Sequence, residues 1–494
     1  MKNINIYLFL LLLGVLASSC EDIITEQPKD FLVPGSFPAT QKDAIAATDA
    51  AYTKLHSSII SFYYGFTPSD IAFQGQHNMR PVSWFINLTP LNGDATVMWQ
   101  QNYQGVGLAN TVIQFVPDVA MDENLRDRLI AEAKFLRAFY YFELVRTYGG
   151  VPIIDEVVND PNSLKGITRN TVEEVYTFIK NDLTEAIADL PDDYASAEKG
   201  RATKWSATAL LARVHLTRQE WPAANTRAQE VIASGMFGLV ADYNLLWSQN
   251  AEHVLLPDKN GTQVNENVFD IQFRQDERND FKQSWVGSRD TGVGGVNAVG
   301  GGWENMLPTQ DFLNMFEAGD LRKDISYVTE LDGNTLESPR TPGAGPITGK
   351  YLNADGDAPK GNNGSQNTYV IRYSDVLLMR AEAENEQNGP TGAYTFINQV
   401  RERAGLPGLS GLDQASFRTA LRKERATELS FEGIRKYDLL RWGTFVETIR
   451  NTTEPNMATP RANIQDYHVL MPIPDREIEL SEGSLIQNAG YDQF

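Results

Sequence analysis

Residues 122–148, DENLRDRLIAEAKFLRAFYYFELVRTY, set Leu125, Leu129, Ala133, Leu136, Tyr140 and Leu144 at steps of three and four. That spacing lines one side of a 3.6-residue helix, and so long an apolar stripe has to be covered by a partner element. Gly149-Gly150 stops the helix and Pro152 prevents its resumption. Residues 171–190 repeat the pattern with Val172, Val175, Phe178, Ile179, Leu183, Ala186, Ile187 and Leu190, ended by Pro191. Thr171 and Glu174 have the spacing of a capping box.

Two later segments are self-similar, ATALLARVHLTRQEWPAANTRAQEVIASG (207–235) and DVLLMRAEAENEQNGPTGAYTFINQVRERAG (375–405). Each reads as a helix, a short polar turn and a second helix. Ala212 and Ala224 are 12 apart, as are Ala381 and Ala393, so small residues fall where two antiparallel helices would touch. The pattern is that of the tetratricopeptide helix-turn-helix, whose units bury their apolar faces by stacking. With the two earlier helices, the expected fold is mainly α: about four helix pairs, long loop insertions and a few short strands.

Residues 240–370 have a different texture, rich in Gly, Asn, Asp, Gln and Pro. Residues 268–274 alternate as a strand does. Seven glycines fall between Gly287 and Gly302, and a second glycine-rich stretch covers 342–364. Loops this long within a folded chain are functional or disordered, and the embedded Trp285 and Trp303 favour function.

The N-terminus, MKNINIYLFLLLLGVLASSC, fixes where such a chain works. Lys2 precedes an apolar run from Ile6 to Leu16, too short for a bilayer core that needs about 20 residues. Small residues then lead into Cys20, the only cysteine of 494 residues. The layout is a signal peptide (1–19) followed by a site that resembles the bacterial lipobox, in which the thiol is acylated. Ala17 stands where Leu is commonest in that motif. Glu21 and Asp22 resemble the surface-export signal of Bacteroidetes lipoproteins. Residues 20–40 read as a lipidated tether. The net charge of −21 excludes nucleic acid as a partner, which needs a basic footprint.

Six runs, in order, resemble the SusD/RagB family of Bacteroidetes outer-membrane lipoproteins. They are AEAKFLRAFYYFELVRTYGGVP (131–152), the stretch around Trp303 into LPTQDFLNMFEAGDLRKDI (307–325), YVIRYSDVLLMRAEAENEQNG (369–389), INQVRERAGLP (397–407), LRKERATELSFEGIRKYDLLRWG (421–443) and VLMPIPDREIELSEGSLIQNAGY (469–491). The resemblance implies a helical N-terminal region (41–240) and a C-terminal region (241–494) with a loop-rich, ligand-holding insertion, the two forming one compact unit. It also implies a non-enzymatic role: capture of oligosaccharides, or of peptides in some members, at the outer face of the outer membrane. The partner implied is a TonB-dependent transporter of the SusC type, with this chain as its lid. A repeat scaffold that binds no small ligand remains a further reading.

Arg401, Arg403, Glu424, Arg425, Glu428, Glu432, Arg435, Asp438 and Arg441 sit at helical spacing and read as an interhelical ion-pair network. Trp442, Trp99, Tyr103 and Trp205 read as packing. Sugars are held by flat aromatic faces and by polar groups that read hydroxyls. Two loop segments offer both: 65–94, with His77, Asn78, Arg80 and Trp84, and 273–290, with Arg274, Trp285 and Arg289, followed by Trp303. An extended peptide would instead pair with the strand at 268–274. No phosphate loop follows the glycines, and the five histidines lack zinc spacing. No cofactor is expected. Asn353, Asp355 and Asp357 alternate as in a calcium loop, but Ala358 occupies the place of its required glycine. Replacing Cys20 with Ala is expected to abolish acylation and release the protein from the membrane fraction, measured by labelled palmitate incorporation and fractionation.

Overall fold

The computed structural model describes residues 37–491 except 57–63, 66, 76–78, 249–253, 275–281, 287–302, 332–333, 337–340, 342–344 and 352–365. Cys20, His77, Asn78, Arg289 and the 353–357 triplet lie outside the described residues. No described helix is long and apolar enough to cross a membrane.

The fold is mainly α. Its long helices are α1 (Gln41–Tyr52), α2 (Gly93–Phe115), α3 (Glu123–Tyr148), α4 (Val172–Asp189), α5 (Lys204–Thr217), α6 (Trp221–Ala233), α7 (Tyr373–Asn388), α8 (Pro390–Arg403) and α9 (Gln414–Glu428), with the shorter α10 (Arg435–Arg441) behind them. Among the described residues, four consecutive pairs form (α1–α2, α3–α4, α5–α6, α7–α8), each packed on the next, and α9 covers the last. Ala212, Ala224, Ala381 and Ala393 are fully buried where the pairs touch. The Thr171–Glu174 capping box opens α4, and Gly149, at φ +77°, ends α3.

α3 departs from the amphipathic expectation. From Phe135 to Val145 every residue is buried, the charged Arg137 and Glu143 included. The helix lies between α2 and α4, with Phe135 and Phe139 meeting Phe269 of the insertion edge to face. Burial of Arg137 is tolerated because Asp182 of α4 accepts two 2.8 Å hydrogen bonds from it. At Gly105, α2 runs tightly against α3: a Cβ there would lie 2.5 Å from the Tyr140 ring.

α6 packs directly on α7 although residues 234–372 intervene, so that stretch leaves the stack and returns. Its base is closed by an antiparallel pair, β2 (Asn267–Ile271) with β4 (Thr368–Arg372). Val268 to Ile271 are all buried. The strand expected at 268–274 is shorter, Asn267–Ile271, and its buried residues from Val268 on make it a core element rather than a surface strand for an extended peptide, while Arg274 beyond it is exposed. Further out, β1 (Ala72–Phe73) pairs with β3 (Leu307–Pro308).

The predicted ion-pair network is present, and larger than expected. Arg372 and Lys350 of the insertion reach Glu432 at 2.7 and 2.8 Å, and Arg372 also reaches Glu266 and Glu428. Arg322 binds Asp320, Glu424 and Glu428 at 2.8, 2.6 and 3.1 Å. Arg403 contacts Glu266 and Glu428, and Arg401 contacts Glu424. A second set joins Arg425 to Asp375 and Asp438, Arg213 to Asp375, Arg441 to Glu382 and Asp438, and Arg435 to Asp70. Trp442 belongs to this set too: its indole N–H donates to Glu382, and Arg422, Arg435 and Arg441 stack on its ring.

Burial alone would raise the Glu428 carboxyl, but Arg403, Arg372 and Arg322 hold it well below the usual carboxylate range. Asp438 is likewise raised by burial and pulled down, on balance to about 2, by Arg425 and Arg441. Removing one member strands the others in low dielectric. Arg372→Ala is therefore expected to lower stability by about 3–5 kcal/mol in denaturant titrations. The sign with pH follows from the depressed carboxyls. Their contribution is full above the unfolded carboxylate pKa of about 4. It is lost, for Asp438, as pH falls towards about 2. Asp438→Asn should flatten that acid limb in pH-dependent melts.

Candidate functional site

The two loop segments singled out in the sequence lie far apart in the chain, and the pairing of Ala72 with Pro308 and of Phe73 with Leu307 in β1 and β3 brings them together. Beyond the strands the joint continues. Gly75 N–H donates to the Glu304 carbonyl at 2.7 Å, Gln74 Nε2 to Asn305 Oδ1 at 3.0 Å, and Thr309 N–H to the Ile71 carbonyl at 3.1 Å. Thr341 Oγ1 donates to the Glu304 carboxylate at 2.9 Å. Glu304 itself is fully buried in the left-handed region, φ +50°. A Cβ on Gly75 would lie 2.7 Å from that of Glu304, so the two backbones approach as closely as only glycine allows.

Arg80 and Trp84 follow directly on one side of this joint. Arg80 is half-buried and pairs with Asp94 at the start of α2, at 2.8 Å. Its own N–H donates to Gln74 Oε1, which ties it to the Gln74–Asn305 bond. Trp84 ends the short helix Pro81–Trp84 and is only 4% exposed, its indole N–H without a hydrogen-bond partner and its carbonyl accepting from Asn463. That is the placement of a loop anchor. Phe85, the next residue, turns through a left-handed φ of +52° and stacks on His468 at 4.7 Å.

Trp303 stands on the other side, adjacent to Glu304 and half-buried. Trp285, also half-buried, lies on the short helix Lys282–Val286, and its carbonyl accepts from Asn305 N–H at 2.9 Å. Lys282 fastens this helix: it is fully buried, donates to the Gln366 carbonyl and Thr368 Oγ1, and lies over the Phe273 ring. Arg274 is exposed at the edge of the same region. Arg80, Trp84, Trp285 and Trp303 thus belong to one assembly around Gln74, Gly75, Glu304 and Asn305. Sequence reasoning passed over these four joining residues. The runs FQG and WEN show no pattern that distinguishes a backbone joint from an ordinary loop.

Trp285 and Trp303 keep part of their surface open, while the Gln74 and Asn305 amides are buried in the joint and the Arg80 guanidinium is paired with Asp94. A partly open indole is a surface on which the apolar face of a sugar ring can rest. Among the described residues no three His, Cys, Asp or Glu side chains gather to hold a metal ion. Of the eight tryptophans, Trp84, Trp99 and Trp247 are buried, and Trp205, Trp221, Trp285, Trp303 and Trp442 keep part of their surface open. Tyr103, read as packing, is half-buried and donates to the Pro152 carbonyl at 2.7 Å.

Comparison with known proteins agrees with the helical fold. Residues 327–491 match the SusD family, and residues 67–216 match the family described as starch-binding, associating with outer membrane. SusD-like protein P2 of Formosa agariphila is 31% identical, over 99% of this chain and 100% of its own. Starch-binding protein SusD of Bacteroides thetaiotaomicron is 26% identical, over 75% of this chain and 73% of its own. A solved structure, a laminarin-binding SusD-like protein, superposes with a TM-score of 0.77 at 27% identity, covering 92% of this chain and 100% of the other. With a helical stack, a stapled loop insertion and full-length relatives of the same build, this chain belongs to the SusD/RagB family.

Proposed function

We propose that this chain is a cell-surface lipoprotein, anchored through Cys20, that binds nutrient oligosaccharides and delivers them to a TonB-dependent transporter of the outer membrane as its extracellular lid. The observation that carries the glycan reading is the joint between β1 and β3, which gathers Arg80, Trp285 and Trp303 from two distant loops. Relatives whose names specify starch or laminarin support the same cargo. The peptide reading is the weaker one, because the strand it would extend is buried. A scaffold without a ligand would have no use for partly open indoles at the joint.

Binding on this account is non-covalent. Trp285 and Trp303 offer ring faces to the C–H surface of successive sugar units, and Arg80 and Arg274 bond their hydroxyls. The protein acts as a binding protein rather than an enzyme. Movement of the lid over the channel buries the cargo.

Calorimetric titration with plant, host and microbial glycans and with casein peptides tests this. One glycan class should saturate, and Trp285→Ala or Trp303→Ala should weaken it about tenfold or more, roughly 1.4 kcal/mol. Saturation by casein peptides instead would sink the glycan assignment. Gly75→Ala, whose Cβ has no room beside Glu304, should weaken the same glycan while circular dichroism shows the helices intact.

A further inference from the structure

A groove of about 830 Å³ runs along the helical stack, lined by none of the loop-site residues. α2 gives one wall with Trp99 and Tyr103, the segment after α3 gives Ile154, Val157 and Leu164, and Leu480 closes it from the short helix Asp475–Leu480. Its size is that of a ligand site, for which about 300–1,000 Å³ is usual. The walls are tied together: Tyr103 donates to the Pro152 carbonyl, Asn110 Nδ2 to the Ile154 carbonyl at 2.9 Å, Gln100 to Glu477, and Gly166 N–H to the Ser481 carbonyl. The groove is therefore preformed.

Its lining is largely apolar, with Trp99 only 4% exposed and Tyr103 half-buried, its hydroxyl tied to the Pro152 carbonyl. Yet Leu480 is 58% exposed and Ile486, beyond the groove end at Leu485, is 68% exposed. The charge around this apolar surface is one-sided. The two flanking segments, 153–167 and 475–482, carry Asp155, Glu156, Asp160, Asp475, Glu477, Glu479 and Glu482 against Lys165 and Arg476. Lys165 is already paired with Glu482 at 3.1 Å.

We propose that this groove docks a basic amphipathic helix of a partner protein. Leucine-like side chains at i, i+4 spacing would enter between Tyr103, Leu164 and Leu480, and lysines or arginines on the flanks would meet Asp155, Glu156 and Glu479. The inference is independent of the cargo held at the loop site.

The test uses a fluorescent 15-residue amphipathic helix of Leu and Lys, with a Leu/Glu helix of the same pattern, titrated at physiological salt. Saturable binding of the Leu/Lys helix, at least tenfold tighter than the Leu/Glu helix, is expected. Leu480→Asp should weaken it at least tenfold while leaving glycan binding at the loop site intact, which also reports that the variant is folded. Glu156→Lys with Glu479→Lys should turn the preference towards the Leu/Glu helix. Glu402→Lys with Glu447→Lys, exposed acids on other elements, should change nothing. Equal affinity for both helices, no binding, indifference to Leu480→Asp, or an equal loss in the distant pair, which would mean attraction to the net charge alone, would each overturn the proposal.

Discussion

Glu428 receives guanidinium groups from three directions: Arg322 and Arg372 from the insertion and Arg403 from α8. Around it many pairs cross from the insertion to α9, while Glu266 and Asp320 are acids of the insertion itself. The insertion and its return strand supply Arg322, Lys350 and Arg372; α9 and the turn after it supply Glu424, Glu428 and Glu432. A loop-rich excursion of this length has little regular structure to hold its shape. It is held because its cations are buried against the anions of the last long helix. Hydrophobic packing alone would fix the distance between these parts but not their register, since apolar contact is non-directional and bidentate ion pairs are not.

The second set of buried charges reaches the candidate loops. Arg435, which follows α9 in the chain, binds Asp70, two residues before β1. Asp70 lends its carbonyl to Thr309, which follows β3 and in turn caps a short helix. Buried charges thus act in both places: one set staples the insertion to the stack, and the separate Arg435–Asp70 pair ties the segment before β1 to the segment after α9. The tryptophans and Arg80 stand on the β1–β3 joint, and their spacing is inherited from it.

Much of this was legible beforehand, and the reasons differ by element. The helices announced themselves because stacked pairs need apolar stripes, and the alanines at 212, 224, 381 and 393 marked the close contacts. The acid and base positions of 401–441 were legible because their helical spacing left too many charges for solvent alone. Their partners Glu266, Arg322, Lys350, Arg372 and Asp375 were not, because each is a single charge in a different local context and only the tertiary fold brings them together. The extent of burial in α3 was hidden for a related reason. Arg137 and Glu143 mimic a solvated face until Asp182 and Arg146 are seen to pair with them. At the candidate site, residue types could be singled out from the sequence and their geometry could not. Trp84 looks no different in sequence from Trp303, yet it lies inside, and the joint that unites the two loops rests on backbone hydrogen bonds that no side-chain pattern encodes.

The most direct measurement of this account is hydrogen exchange in Arg435→Gln, which removes the pair with Asp70, compared with the unaltered protein. If the buried network sets the site, exchange should accelerate at 72–75 and 304–309 while α2 to α5 keep their protection. Unchanged protection at the joint, or an even loss throughout the chain, would show that the loops are held by something other than these charges.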